Sequence, residues 1–126
     1  MAVAVLALLA SGCGSGGTLS AKTLSQESKS LKSLAAEGAL LARQAGAGKT
    51  TRIFRRVHSD YLYKAASKSS SSLRSAKTEP RLDSELRKLT YLAGTVSTDL
   101  KRLGHASKGQ LPGIARDLEV VARGLE

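Results

Sequence analysis

One apolar stripe in the C-terminal half constrains the fold more than any other feature of the chain. Its seven residues recur at alternating spacings of four and three: Leu82, Leu86, Leu89, Ala93, Val96, Leu100 and Leu103. This spacing is typical of a helix that buries one face. Pro80 and Asp83 suit the start of that helix, and Gly104 suits its end. A helix with a single apolar face needs partners, which the rest of the chain has to supply.

Three other segments also have helical spacing. The first, residues 18–45, carries Leu24, Leu31, Leu34, Gly38, Leu41 and Ala45, and a short last one, starting near Pro112, carries Leu111, Ile114, Leu118, Val121 and Leu125. The second, residues 51–77, places Phe54, Val57, Tyr61, Ala65, Ser72 and Ala76 on one face, which we expect to be buried. Because short connections favour antiparallel neighbours, we predict an all-α fold for residues 18–126, an up-down four-helix bundle with a short C-terminal helix. A three-helix bundle with a docked C-terminal helix is the near alternative.

The composition indicates what fills this bundle and what it attracts. The chain has one Phe, three Tyr and no Trp, so the core must be Leu, Ala and Val. We expect Leu86, Leu89, Val96 and Leu100 at its centre, and a close helix approach at Gly38. The 20 Lys and Arg outnumber the 10 Asp and Glu, giving a net charge of +10. Such an excess favours anionic partners.

The first seventeen residues have a separate character. An apolar run at residues 2–10 meets Ser11, Gly12 and Cys13, and a Gly/Ser stretch follows to residue 17. This order resembles a bacterial lipoprotein signal, in which the peptide before the cysteine is removed and the cysteine sulfur acquires lipid. The resemblance implies a signal peptide at residues 1–12, a lipidated Cys13 with a spacer to residue 17, and a place on the extracytoplasmic side of a bacterial membrane. The run is about half the length that a transmembrane helix needs.

The sequence Gly48-Lys49-Thr50 is the ending of a phosphate-binding P-loop, but its context differs. The full motif needs a glycine where Arg43 stands, after a buried strand rather than a helix. We therefore predict a turn, with Gly46 as a left-handed cap of the first helix and Thr50 or Thr51 capping the second. No nucleotide is expected there.

Catalytic patterns are weak. A di-iron bundle needs Glu three residues before His, yet Arg55 and Arg102 stand three before His58 and His105. Zinc needs three or four ligands, which two distant histidines do not supply. We expect His58 to be partly buried and His105 solvated, and Glu27 to reach solvent or pair with a Lys or Arg. The sequence predicts no enzyme, no cofactor and no metal.

Binding hypotheses remain. The basic second segment and part of the third form a candidate surface for an anionic envelope polymer or an acidic protein: Arg52, Arg56, Tyr63, Arg74, Arg87, Lys88 and Tyr91. Tyr63 is expected on the basic side of its helix and Tyr91 opposite the apolar stripe, so both should be exposed. Tyr and Arg are enriched at interfaces, although the rings could instead only cover Arg stems on a solvated face. One alternative is a ligand-holding bundle or weak enzyme with a pocket lined by Glu27, Gly38 and His58. Another is a cytoplasmic nucleic-acid binder, should the signal not be processed. The sequence leaves self-association open.

Overall fold

The computed structural model describes residues 18–125, which form a bundle of four α-helices. They are α1 (Ala21–Gly46), α2 (Arg52–Ser75), α3 (Asp83–His105) and the shorter α4 (Leu111–Gly124). Single 3₁₀ turns at Pro80–Leu82 and Lys108–Gln110 lead into α3 and α4. The predicted all-α bundle with a short last helix is confirmed. Cys13 and the predicted signal segment lie outside the described residues.

Neighbouring helices run antiparallel. The most extensive packing is that of α2 on α3 and of α1 on α4. Near residue 18, the Leu19 amide donates to the Lys77 carbonyl at 2.7 Å, which joins the start of α1 to the end of α2. At the other end Arg55 donates to the Ala106 carbonyl, which joins the start of α2 to the end of α3. We call these the N-terminal end and the distal end of the bundle.

The core consists of Leu, Ala, Val and one Ile, as the composition requires. Leu89, Val96 and Leu100 are buried as expected, whereas Leu86 is only partly buried and packs against the margin of the core. The close approach at Gly38 is confirmed, because a Cβ there would lie 2.5 Å from Leu100 Cδ2 and 3.1 Å from Leu118 Cδ1. Gly38 is thus the point where α1 packs directly against α3 and α4.

The turn between α1 and α2 is a helix cap followed by a helix start. Gly48 and Lys49 donate their amides to the carbonyls of Ala45 and Gln44, the paired pattern that closes many helices. The left-handed residue is Gly48, with φ 72°, and not Gly46 as predicted, because α1 continues through Gly46 before the chain reverses. Thr51 caps α2, since its hydroxyl accepts from the Phe54 amide at 3.0 Å.

The buried face of α2 differs from the predicted one. Phe54, Val57 and Tyr61 are exposed, and so are Ala65 and Ser72. The helix buries five other residues instead, namely Ser59, Leu62, Ala66, Ser70 and Leu73. The small side chain of Ser59 lets α2 approach α3 closely, because a Cβ on Gly104 would lie only 2.7 Å from Ser59 Oγ. Ser59 is satisfied there by donating its hydroxyl to the Arg56 carbonyl.

Candidate functional site

An open cleft of about 500 Å³ lies at the distal end, between the start of α2 and the connection from α3 to α4. Five of its lining residues are Arg, Lys or His: Arg52, Arg55, Arg56, His105 and Lys108. The remainder of the wall is made of small, hydroxyl or apolar residues, and no Asp or Glu of residues 18–125 lines it. We call this site the cationic cleft.

The three arginines come from the first turn and a half of α2. Arg55 and Arg56 follow Arg52 by three and four residues, the spacings that place side chains on the same side of a helix. The start of a helix also leaves backbone N–H groups without intrahelical partners and carries a partial positive charge. The Thr51 hydroxyl satisfies the Phe54 amide only. The start of α2 therefore adds to the positive potential of its arginines.

The opposite wall is held in place by local hydrogen bonds. His105 is the last residue of α3, and Lys108 begins the 3₁₀ turn before α4. The Ser107 amide donates to Gln110 Oε1 at 2.9 Å, and the Gln110 amide donates back to the Ser107 carbonyl at 3.0 Å. These paired bonds fix the segment that carries Lys108.

Arg55 joins the two walls. Its Nη2 donates to the Ala106 carbonyl at 3.0 Å, across 51 residues of sequence. Its Nε is buried and has no partner among residues 18–125, and the same is true of Thr50 Oγ1 on the cleft wall. Buried polar groups are nearly always hydrogen-bonded in folded proteins. The two unpartnered atoms therefore mark the base of the cleft as a place that suits an acceptor.

The cations of the cleft differ from several others on the surface. Arg43 pairs with Glu119, Lys64 with Asp60, Arg81 with Glu79, and Arg102 with Asp99. Within residues 18–125, none of Arg52, Arg55, Arg56 and Lys108 pairs with a carboxylate. Arginine forks match phosphate and carboxylate oxygens in pairs of hydrogen bonds. The arrangement can therefore hold an anionic group.

The predicted basic surface divides between the two ends of the bundle. Arg52 and Arg56 line the cationic cleft, whereas Arg74 lies 18 residues after Arg56 on α2, roughly 27 Å away. Arg74 Nη2 lies beside Gly94 of α3. On α3, Arg87 and Tyr91 are exposed, and Lys88 lines a smaller cleft at the N-terminal end together with Glu85. These residues do not form one patch.

Tyr63 was expected to be exposed and is instead half-buried. It packs against the core, and Lys101 of α3 lies over its ring, with Nζ 5.8 Å from the ring centroid. The distance is within the range of a cation–π contact. Position 63 is at the edge of the buried side of α2, because the helix buries Ser59, Leu62 and Ala66 rather than the predicted face. Tyr63 therefore contributes to the packing of α2 on α3.

The residues of the predicted interior pocket do not converge. The space at Gly38 is filled by Leu100 and Leu118. His58 is partly buried, as expected, and contacts Glu37 Oε1 at 2.9 Å. Glu27 is half-buried, so it partly reaches solvent, and it accepts a hydrogen bond from Ser69 at 2.7 Å. Each of the three thus has a separate local environment.

Three members of the cleft were missing from the predicted surface: Arg55, His105 and Lys108. His105 is exposed, as expected, but its position beside α2 was not foreseen. The up-down topology itself holds the signal that could have found them. In such a bundle the start of the second helix lies beside the end of the third, so cations at those two places meet.

No known protein family, curated protein or solved structure matches this chain. Among the helices at residues 18–125, none is long and apolar enough to cross a membrane. In that same part of the chain, no three His, Cys, Asp or Glu side chains lie together as metal ligands would. The geometry of the cationic cleft is therefore the main guide to what the bundle binds.

Proposed function

We propose that this chain is a lipid-anchored, non-enzymatic bundle of the bacterial cell envelope that holds an anionic polymer or an acidic protein partner in the cationic cleft. The observation that carries the proposal is the convergence of Arg52, Arg55, Arg56, His105 and Lys108 on a cleft that no Asp or Glu of the described residues lines. The lipoprotein-like order around Cys13 supports the location.

The chemistry of the cleft favours phosphate or carboxylate groups carried on a longer molecule. Arg55 lies at the base of the cleft, where its hydrogen bond to the Ala106 carbonyl fixes its position. Arg52 and Arg56 are exposed at the rim. A single anion can occupy the base, and neighbouring anions of the same polymer can reach the rim. Because the rim charges are exposed, their attraction is screened over about 8 Å at physiological ionic strength. Binding should therefore weaken steeply with added salt.

A tether at Cys13 leaves the cleft accessible. The described chain starts at the N-terminal end, and α1 then spans 26 residues, about 39 Å, to the distal end. The cleft thus lies on the part of the bundle farthest along α1 from the proposed anchor. A partner held near the membrane is also met at high effective concentration, which strengthens a weak electrostatic contact.

The proposal predicts that charge reversal inside the cleft abolishes binding of polyanions. We expect Arg52→Glu with Arg56→Glu to weaken binding of labelled polyphosphate or poly-glutamate at least about tenfold, because charge-assisted hydrogen bonds contribute about 1.5–3 kcal/mol each. Fluorescence anisotropy across a salt series measures the dissociation constants. Polyphosphate and poly-glutamate separate a phosphate preference from a carboxylate preference.

Arg74→Glu with Arg87→Glu is the matched control, since it makes the same change in net charge outside the cleft. We expect this variant to bind nearly as well as the wild type. Equal losses in the two double variants would mean that net charge, and not the cleft, attracts the polymer. That result would contradict the proposed site.

The proposed anchor predicts a separate outcome. In a bacterial host that processes lipoproteins, the mass of the purified protein should show loss of residues 1–12 and addition of acyl groups at Cys13. Cys13→Ser should release the protein from the membrane fraction and leave its helical circular dichroism unchanged. A wild-type chain that retains Met1 and carries no acyl mass would contradict the anchor while leaving the cleft untouched.

A further inference from the structure

The outer face of α2 exposes an apolar stripe that the bundle does not use. Its four members are Ile53, Phe54, Val57 and Tyr61, with exposed fractions of 78%, 52%, 65% and 69%. They occupy the first three turns of the helix, opposite its buried residues. Contiguous exposed apolar surface marks binding sites for proteins or membranes. We call these four residues the outer stripe.

Positive charge surrounds the outer stripe. Arg56 lies beside Ile53 at one flank of the stripe, and Lys64 and Lys68 continue the same face toward the end of α2. Asp60 is the one acid of α2, and its carboxylate is engaged by Lys64 at 2.9 Å. Beside the stripe, Glu37 of α1 is engaged by His58 at 2.9 Å. The outer face therefore combines apolar side chains with a net positive border.

We infer that this outer face of α2 rests on an anionic lipid bilayer, with the outer stripe entering the boundary between headgroups and acyl chains. A helix with an apolar face and Lys or Arg beside it binds such surfaces through buried apolar area and attraction to anionic lipid. Long Lys and Arg side chains can follow the apolar surface while their charges stay at the headgroups. The inference stands on the stripe itself and does not require the proposed anchor.

Charge and shape select this occupant over others. A second copy would bring Arg56, Lys64 and Lys68 of one chain close to the same cations of the other, and like charges in contact oppose association. The face is one convex helix surface, which suits a deformable bilayer, whereas helical peptides are usually held in a groove. Anionic lipid supplies both an apolar phase and negative charge to a surface of this shape.

The orientation of α2 is compatible with a tether. The end of α2 lies beside the first described residues, because the Leu19 amide donates to the Lys77 carbonyl. In a bundle lying on α2, Leu19 at the start of the described chain therefore stays beside the helix that receives the membrane. The cationic cleft remains open at the distal end, since its far wall is formed by the connection from α3 to α4.

The decisive experiment reads the environment of single positions in the full chain. Cys13→Ser removes the native thiol, and Val57→Cys or Val120→Cys then receives a nitrobenzoxadiazole fluorophore. Val120 is the matched control, an exposed valine of α4 with an exposed fraction of 54%. Every other part of the chain, including residues 1–17, is the same in both proteins. The probes are vesicles of phosphatidylglycerol and of phosphatidylcholine.

We expect phosphatidylglycerol vesicles to shift the emission at position 57 to the blue and to protect it from an aqueous quencher, with no such change at position 120. Phosphatidylcholine should leave both positions exposed. Equal responses at the two positions, or no response at position 57, would overturn the inference. An equal response of position 57 to both lipids would overturn the role given to the positive border.

A second pair of variants separates the outer stripe from the cleft. Val57→Ser with Tyr61→Ser should lower partitioning into phosphatidylglycerol vesicles at least about tenfold, because two apolar side chains are lost from the contact. Val120→Ser with Tyr91→Ser makes the same chemical change on exposed positions of α4 and α3 and should partition as the parent chain does. Both variants should retain binding of polyphosphate. Loss of polyphosphate binding by the first variant would contradict the separation of the outer stripe from the cleft. Unchanged partitioning of that variant into phosphatidylglycerol vesicles would overturn the membrane contact.

Discussion

At the scale of single residues, Asp99 is the one buried acid of residues 18–125. Burial raises the pKa of its carboxyl and nearby Asp117 raises it further, whereas the hydrogen bond from Arg102 at 3.1 Å and the charge of Arg102 lower it. The net result is a pKa above the usual 3.8. The folded protein therefore holds this proton more tightly than the unfolded chain does, so the contribution of Asp99 to stability is greatest below the unfolded pKa and is lost as the pH rises through the folded one.

Asp99→Asn should remove this pH dependence. Relative to the wild type, we expect the variant to gain free energy of unfolding as the pH increases from about 3 to about 6, because only the wild type has to ionise a buried carboxyl there. Urea unfolding at a series of pH values measures the difference. Glu85→Gln, at an exposed acid of α3 that does not act on Asp99, is the control. A difference between Asp99→Asn and wild type that is constant with pH would contradict the prediction.

The candidate site shows what sequence reasoning reaches at this scale. Arg52 and Arg56 were predicted as binding residues because they stand out from the apolar pattern of their own helix. Arg55, His105 and Lys108 join them only through tertiary contact, since Arg55 meets Ala106 across 51 positions. Helical periodicity reports which face a residue occupies on its own helix. It does not report which loop lies opposite that residue.

At the scale of elements, α2 was correctly predicted as a helix, but the wrong side of it was predicted to be buried. Two sets of residues on this helix have helical spacing, one containing Phe54, Val57 and Tyr61, and the other containing Leu62, Ala66 and Leu73. Hydrophobicity favours the first set. Close packing on α3 favours the second, because Ser59 meets Gly104 where no larger side chain fits. The other helices each carry one dominant stripe, so their faces were predictable.

The contact at Gly38 provides a test of helix packing. We expect Gly38→Ala to lower the free energy of unfolding by about 1–3 kcal/mol, because the new methyl group overlaps buried Leu100. Gly113→Ala is the matched control within α4, since nothing lies within 4 Å of a Cβ there. That change should instead stabilise the protein by about 0.5–1 kcal/mol through helix propensity. Denaturant unfolding should therefore show changes of opposite sign in the free energy of unfolding of the two variants. A higher free energy of unfolding for Gly38→Ala would contradict the close packing of α1 on α3 and α4.

At the scale of the whole molecule, the fold was predictable because several local signals agree. Four apolar stripes, short connections and well-placed end residues all indicate an up-down bundle, and a core without large aromatic residues requires close packing at small residues. The distribution of charge over the surface was harder to predict from the sequence. The net charge of +10 is plain from the composition, but the structure decides which cations find acids and which gather in the cationic cleft.

This uneven charge distribution leads to a prediction that links stability to binding. Arg56 shares the cleft with Arg52, Arg55 and Lys108 and has no carboxylate partner within residues 18–125, so its neighbours repel it in the free protein. Arg56→Gln should therefore raise the free energy of unfolding at low salt by up to about 1 kcal/mol. The gain should disappear near 1 M salt, where screening acts over about 3 Å. The same change should weaken binding of polyphosphate.

Arg102→Gln distinguishes a binding cation from a structural one. Arg102 donates to Asp99 at 3.1 Å and lies 3.8 Å from Asp117, so its replacement should lower stability and leave the binding of polyphosphate nearly unchanged. Thermal and urea unfolding at low and high salt, together with anisotropy, give both quantities for both variants. Residues that serve binding often reduce the stability of the free protein. If Arg56→Gln were destabilising at low salt, Arg56 would belong to the scaffold, and the cleft would depend on its other cations.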